Sequence, residues 1–124
     1  MTDEFLVDAS AWVNLLAKVR TLPDRLSASS VVACSFTAGE LASLARRKPG
    51  TAPMLSLLLS SARLEECQLQ DFLAGGDLHG RLRTTGRTKV ALGDCLLHAV
   101  AQRLGIPLVT SDHDLAGLPE VVLL

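Results

Sequence analysis

Four carboxylates in this chain sit where chemistry would need them: Asp8, Glu40, Asp94 and Asp112. Asp8 closes the short run Glu4-Phe5-Leu6-Val7, and Asp112 follows the apolar run Leu108-Val109-Thr110. Glu40 falls about one turn into the helical stretch after Val31-Val32-Ala33-Cys34, and Asp94 about one turn into the long stretch after Gly86. Taken singly, an aspartate ending a strand reads as a helix cap, and a lone glutamate on a helix as a solvated side chain. Taken together they repel. At about 6 Å and an effective dielectric near 20, each ionised pair costs about 3 kcal/mol. A fold of marginal stability needs a counter-charge for such a group. No lysine or histidine ends a comparable strand. A hard divalent cation with oxygen ligands, Mg2+ or Mn2+, answers that need. Such an ion can activate a water and hold a phosphate in line for attack.

The elements that must position these acids follow from hydrophobic periodicity. Glu4 to Val7 reads as a buried strand, and Ala9 to Lys18, with Trp12, Leu15, Leu16 and Val19 at helical spacing, as a helix. Pro23-Asp24 opens a short helix, and Val31 to Cys34 is a second buried strand. Ser35 is the expected N-cap of a helix through Glu40, Leu41, Leu44 and Ala45, stopped by Lys48-Pro49-Gly50. Pro53 suits the first turn of a helix over Met54 to Ala62, and Leu64 to Leu69 is a weakly signalled strand. Phe72, Leu73, Leu78 and Leu82 predict a helix whose start is weakened by Gly75-Gly76. Val90 to Leu104 predicts a long helix ended by Gly105 and Pro107. Leu108 to Thr110 and Val121 to Leu124 complete the strands. This alternation predicts an α/β fold: one domain over 1–124, with a central parallel sheet of four or five strands and helices on both faces. In such sheets ligands bind outside the carboxyl ends of the strands, where Asp8 and Asp112 would emerge together.

Composition bounds the reading. The chain has 124 residues, enough for one domain with a core of its own. Hydrophobic residues make up 48% and charged ones 20%, which excludes a disordered chain. No apolar run approaches the roughly 20 residues of a membrane span. The opening Met-Thr-Asp-Glu is acidic where an export signal would be basic, so a cytoplasmic location is expected. Twelve basic against thirteen acidic residues leave a net charge of −1, so bulk charge does not draw the protein to nucleic acid. Cys34, Cys67 and Cys95 form no C-x-x-C pair and read as reduced thiols. With only Phe5, Trp12, Phe36 and Phe72 as aromatics, a base-stacking platform is not expected.

In this order and spacing, the motifs resemble those of the PIN-domain ribonucleases, in particular the VapC toxins of type II toxin–antitoxin pairs. They are Val7-Asp8-Ala9-Ser10, Gly39-Glu40-Leu41, Asp94-Cys95-Leu96-Leu97-His98-Ala99 and Leu108-Val109-Thr110-Ser111-Asp112-His113-Asp114-Leu115. The resemblance implies metal-dependent cleavage of RNA, with Asp8, Glu40, Asp94 and Asp112 as the acidic quartet. Asp8 and Asp94 would touch the metal directly, and Glu40 and Asp112 would lie close in or act through water. Ser10 matches the family's small hydroxyl residue, and Asp114 a frequent extra acid. It also implies a second copy of the chain, and a protein antitoxin whose C-terminal segment covers the acids and sets an arginine in the metal's place.

Around these motifs, Arg81, Arg83, Arg87 and Lys89 form the densest basic stretch, read either as solvated surface or as a grip on RNA phosphates. Arg46, Arg47 and Lys48 are a weaker second candidate, because they also suit a helix C-terminus. Val13, Leu16, Leu41, Leu44, Leu55, Leu58 and Leu59 are the expected apolar groove for a partner. Gly93 departs from good helix chemistry, explicable by a close approach or by ordinary packing. His98, four residues after Asp94, either contacts that carboxylate or is structural. Two other readings remain at this point: a receiver-like signalling domain with an acidic Mg2+ pocket, and a catalytically silent PIN fold that only binds.

Overall fold

The computed structural model describes residues 3–124. In chain order its regular elements are β1 (Glu4–Val7), α1 (Ala9–Leu16), β2 (Ser30–Cys34), α2 (Ser35–Arg47), α3 (Ala52–Ser61) and β3 (Arg63–Glu65). There follow α4 (Leu69–Thr84), α5 (Leu92–Leu104), β4 (Leu108–Thr110) and β5 (Val121–Leu123). The strands form one five-stranded sheet in the order β3-β2-β1-β4-β5, every pair parallel. Phe5 pairs with Val31 and Leu6 with Leu108, so the most apolar strands lie innermost.

Period-two alternation divides the core into two layers. Phe5, Val7, Ala33, Val109 and Val122 pack with Trp12, Leu26, Leu41 and Leu58 of the α1–α3 side. Leu6, Val32, Cys34 and Leu108 pack with Cys95, Leu97, Val100 and Ala101 of α5. Helices thus cover both faces, as expected. From β1 the chain steps outward through β2 to β3, then returns to lay β4 on the other side of β1. Connections leave β1 and β4 in different directions, opening a crevice at their carboxyl ends. Receiver domains use the strand order 2-1-3-4-5, which this sheet does not have, so that alternative is set aside.

Some boundaries differ from the sequence reading, for physical reasons. Ser35 is the first residue of α2 and not its cap; Cys34 holds the cap position without a side-chain bond. α1 stops at Leu16, ahead of Lys18 at φ 58°. β3 is shorter than expected and starts at Arg63, and α5 begins at Leu92, with Val90 buried just ahead of it. α4 runs unbroken through Gly75-Gly76. A β-carbon at Gly75 would lie 2.9 Å from the Leu96 Cα, so the glycine lets α4 and α5 cross closely. The cysteines are free, with the Cys34 and Cys67 sulfurs 2.8 Å apart.

Candidate active site

The crevice is built from hydrogen bonds that converge on Asp8. Asp8 caps α1, its Oδ1 accepting from the Ala11 amide at 2.8 Å and from the Ser10 hydroxyl at 2.8 Å. Its Oδ2 accepts from the Thr110 hydroxyl at the end of β4. The Thr110 oxygen in turn accepts the Asp112 amide at 2.9 Å. Asp112 caps the 3-10 turn His113–Leu115 by accepting the Asp114 amide at 2.9 Å. One hydroxyl therefore ties the acid after β1 to the acid after β4.

The remaining two acids arrive on helices. Asp94 lies in the first turn of α5, with its carboxyl close to that of Asp112. Burial, the nearness of the Asp112 carboxyl, and the charges of Asp112, Asp8 and Glu40 push Asp94 up to about 7. Asp8 is 4% exposed, and burial raises its carboxyl; Asp112 adds to the rise, while Thr110, Ala11 and Ser10 oppose it. Glu40, on α2, is raised by burial and by the charge of Asp8. Asp8, Glu40 and Asp94 each feel at least one of the other acids, and among the described residues no basic side chain lowers any of the three.

Among the described residues, no three histidine, cysteine, aspartate or glutamate side chains are grouped so as to hold an ion as they stand. The donor chemistry nevertheless suits a hard divalent cation. Every candidate ligand is a carboxylate oxygen, and Asp94 is raised by the charges of Asp112, Asp8 and Glu40.

The expected basic stretch divides in two. Arg81 is ion-paired with Asp77 along α4 at 3.0 Å and lines a cleft of about 680 Å3 with Asp71, His98 and Arg103. Arg83 is exposed in the last turn of α4. Arg87 and Lys89 instead line a groove of about 400 Å3 with His113 and Asp114, on the turn that Asp112 caps. Arg87 donates to the Asp114 carbonyl at 3.3 Å, so Asp114 enters this network through its backbone. His98 is buried, with Nε2 3.0 Å from the Pro119 carbonyl oxygen, a structural role away from Asp94. Gly93 is explained by packing: a β-carbon there would lie 2.6 Å from Cζ of Phe36.

Of the expected apolar groove, Leu41 and Leu58 are core residues, and Leu59 is half exposed. Between α1 and α2 a groove of about 360 Å3 remains, lined by Val13, Leu41 and Leu44 with Ser10, Asn14, Glu40 and Arg47 at its polar positions. A larger apolar surface lies elsewhere, on α4 and the start of α5: Leu69, Phe72, Leu73 and Leu92. Sequence reasoning missed that face, and it missed Thr110, Asn14 and Ser111. A hydroxyl ending an apolar strand two residues before an acid was the available signal for Thr110.

The geometry has counterparts among solved structures, all at low identity. VapBC from Salmonella typhimurium, described bound to DNA, matches with TM-score 0.74 and 18% identity, covering 100% of this chain and 98% of that one. VapBC2 from Rickettsia felis, described bound to a promoter DNA fragment, matches at 0.71 and 19%, covering 98% and 97%. Mycobacterium tuberculosis VapC20, described as a sarcin-ricin loop cleaving toxin, matches at 0.68 and 23%, covering 94% and 98%. No curated protein matches the chain in sequence. The PIN domain family model matches residues 5–121, nearly the whole sheet and all four acids, and the chain belongs to the PIN domain family.

Proposed function

We propose that this protein is a metal-dependent endoribonuclease, the toxin of a VapBC-type toxin–antitoxin pair. The observation that carries the reading is the Asp8–Asp94–Asp112 cluster with Glu40 beside it, uncompensated by any protein cation, at the carboxyl edge of a PIN sheet. Mg2+ or Mn2+ bound there supplies an activated water and a clamp on the scissile phosphate. Asp8 is held in one rotamer by three hydrogen bonds, which leaves its remaining Oδ2 lone pair as a fixed donor. Asp94 and Asp112 would serve as further oxygen ligands or orient the nucleophile. Arg87 and Lys89 receive flanking phosphates, and Arg83 extends the track. The name of the tuberculosis relative, a sarcin-ricin loop cleaving toxin, favours RNA as substrate.

Two protein partners complete the proposal. The groove between α1 and α2 takes an apolar antitoxin segment that ends near Glu40, where an arginine could pair with the acids. The α4 face takes a second copy: Leu69, Phe72, Leu73 and Leu92 are all more than half exposed, and a cluster of exposed large apolar side chains marks an interface.

Cleavage of RNA by the purified chain tests the activity. Mg2+ or Mn2+ should support it, and EDTA should abolish it. Asp94→Asn should lower the rate by about 100-fold or more without loss of fold. Full activity in EDTA, or in Asp94→Asn, would sink the mechanism, and RNA binding without cleavage at any metal concentration would leave a silent PIN module.

A further inference from the structure

The segment that carries Asp112 is held to α1 by polar bonds at one residue, Ser111. The Asn14 amide donates to the Ser111 hydroxyl at 2.8 Å, across 97 positions of sequence. The Ser111 backbone N–H donates to the Ser10 hydroxyl at 3.1 Å, and that hydroxyl donates to Asp8 Oδ1 at 2.8 Å. Either orientation of the Asn14 amide makes its bond, since a serine hydroxyl both donates and accepts. Residue 111 is thus gripped from two sides, and its chain neighbours are the two groups that matter most. Thr110 donates to Asp8 and accepts the Asp112 N–H at 2.9 Å, and Asp112 stands near enough to Asp94 for their charges to interact.

Resting on the nuclease reading above, we propose that Asn14 is a positioning residue: through Ser111 it fixes the segment after β4 against α1, and so sets where Asp112 stands relative to Asp8 and Asp94. Asn14 touches none of the four acids in the hydrogen bonds it makes. Its effect passes through the backbone of residues 110–112. Without the amide, Ser111 keeps only its N–H bond to Ser10, and the turn that starts at Asp112 can swing about Thr110. The second contact of a ligand is what commonly decides its reach to a metal, and loss of such outer contacts costs about 10- to 100-fold in metal affinity or activity.

The experiment combines Mn2+ binding, read from the free-ion EPR signal, with steady-state cleavage of a mixed-sequence RNA. The variants are Asn14→Ala, Ser111→Ala, the double substitution, and Ser111→Thr. Each single alanine variant should weaken Mn2+ binding and lower kcat by about tenfold, with KM unchanged and the melting temperature close to wild type. The double variant should be no worse than either single one, because both remove the same bond. Ser111→Thr keeps the hydroxyl and should restore both readouts. Multiplying effects in the double variant would overturn the proposal. So would an Asn14→Ala variant with wild-type Mn2+ affinity and kcat, or one altered only in KM, which would instead put Asn14 in contact with RNA from its place in the α1–α2 groove. In each of those cases the wild-type protein still cuts RNA, whereas a wild-type chain that neither binds Mn2+ nor cuts RNA overturns the nuclease reading along with this one.

Discussion

Two carboxylates in this molecule are handled in opposite ways. Asp71, at the start of α4, is 2% exposed. Burial pushes its carboxyl up, but Arg103 and the Gln68 backbone N–H outweigh that and hold it below the ordinary carboxylate range. Arg103 spans both of its oxygens, Nε at 2.9 Å from Oδ1 and Nη2 at 3.0 Å from Oδ2. Asp94, on the other side of α5's length, has no such partner; burial and its acidic neighbours drive it up to about 7. The first site is closed: its counter-charge is covalently part of the chain. The second is open: no basic side chain of the described residues is among the groups that act on it. The two acids can therefore be told apart here by what stands opposite them.

The sharpest way to break this comparison is to open the closed site. Arg103→Ala leaves Asp71 buried beside no cation, and should cost about 3 kcal/mol of stability by urea denaturation. The RNA-cleaving rate per folded molecule should stay the same. If stability is unchanged, Asp71 finds water as easily as Asp94 does, and the distinction fails.

A second test uses pH. Asp94, Asp8 and Glu40 all hold protons more tightly when folded than when unfolded. The folded chain then binds more protons than the unfolded one between the ordinary carboxylate value of 3.8 and about 7. Stability should fall as pH rises through that window and level off above it. Saturating Mg2+ should remove the slope, and Asp94→Asn should flatten it without metal. Thermal melts in EDTA and in Mg2+ read both. A metal-free protein whose stability rises over the same window would mean that the acids are compensated within the chain.

The smallest effect sharpens the question of whether Arg87 and Lys89 serve the acids or the substrate. Replacing both with alanine should weaken RNA binding roughly tenfold and reduce the log–log salt slope by about 1.4, at about 0.7 per phosphate contact on a single strand. The pH slope of the metal-free protein should not move. Arg81→Ala, which breaks only the Arg81–Asp77 pair, should change neither.

What the sequence disclosed and what it hid follow the same physics. Apolar runs such as Phe5-Leu6-Val7 announce buried parallel strands because both faces of the sheet are covered, and the acid that ends each run is conspicuous for that reason. The sheet, its helices and the mutual influence of the acids could be read from that pattern. The bonds that fix the site could not. Thr110 to Asp8 spans 102 positions and Asn14 to Ser111 spans 97, and neither polar residue carries a periodic signal of its own. Asp71 likewise looks like any surface acid in the first turn of a helix until α5 brings Arg103 across it. The apolar face of α4 was missed because Gly75, which marks the close crossing with α5, and its neighbour Gly76 look like helix breakers in one dimension.

The insertion of β4 beside β1 gives the site a history as well as a shape. Asp8 is made early, but its partners Thr110 and Asp112 follow it by about a hundred residues. At synthesis rates of roughly 5–20 residues per second, some 5–20 s separate the first acid from the last. Throughout that interval β1 can pair only with β2, and Asp8 caps a helix and nothing more. The growing polypeptide therefore carries no assembled acidic site until β4 docks beside β1, in one late step.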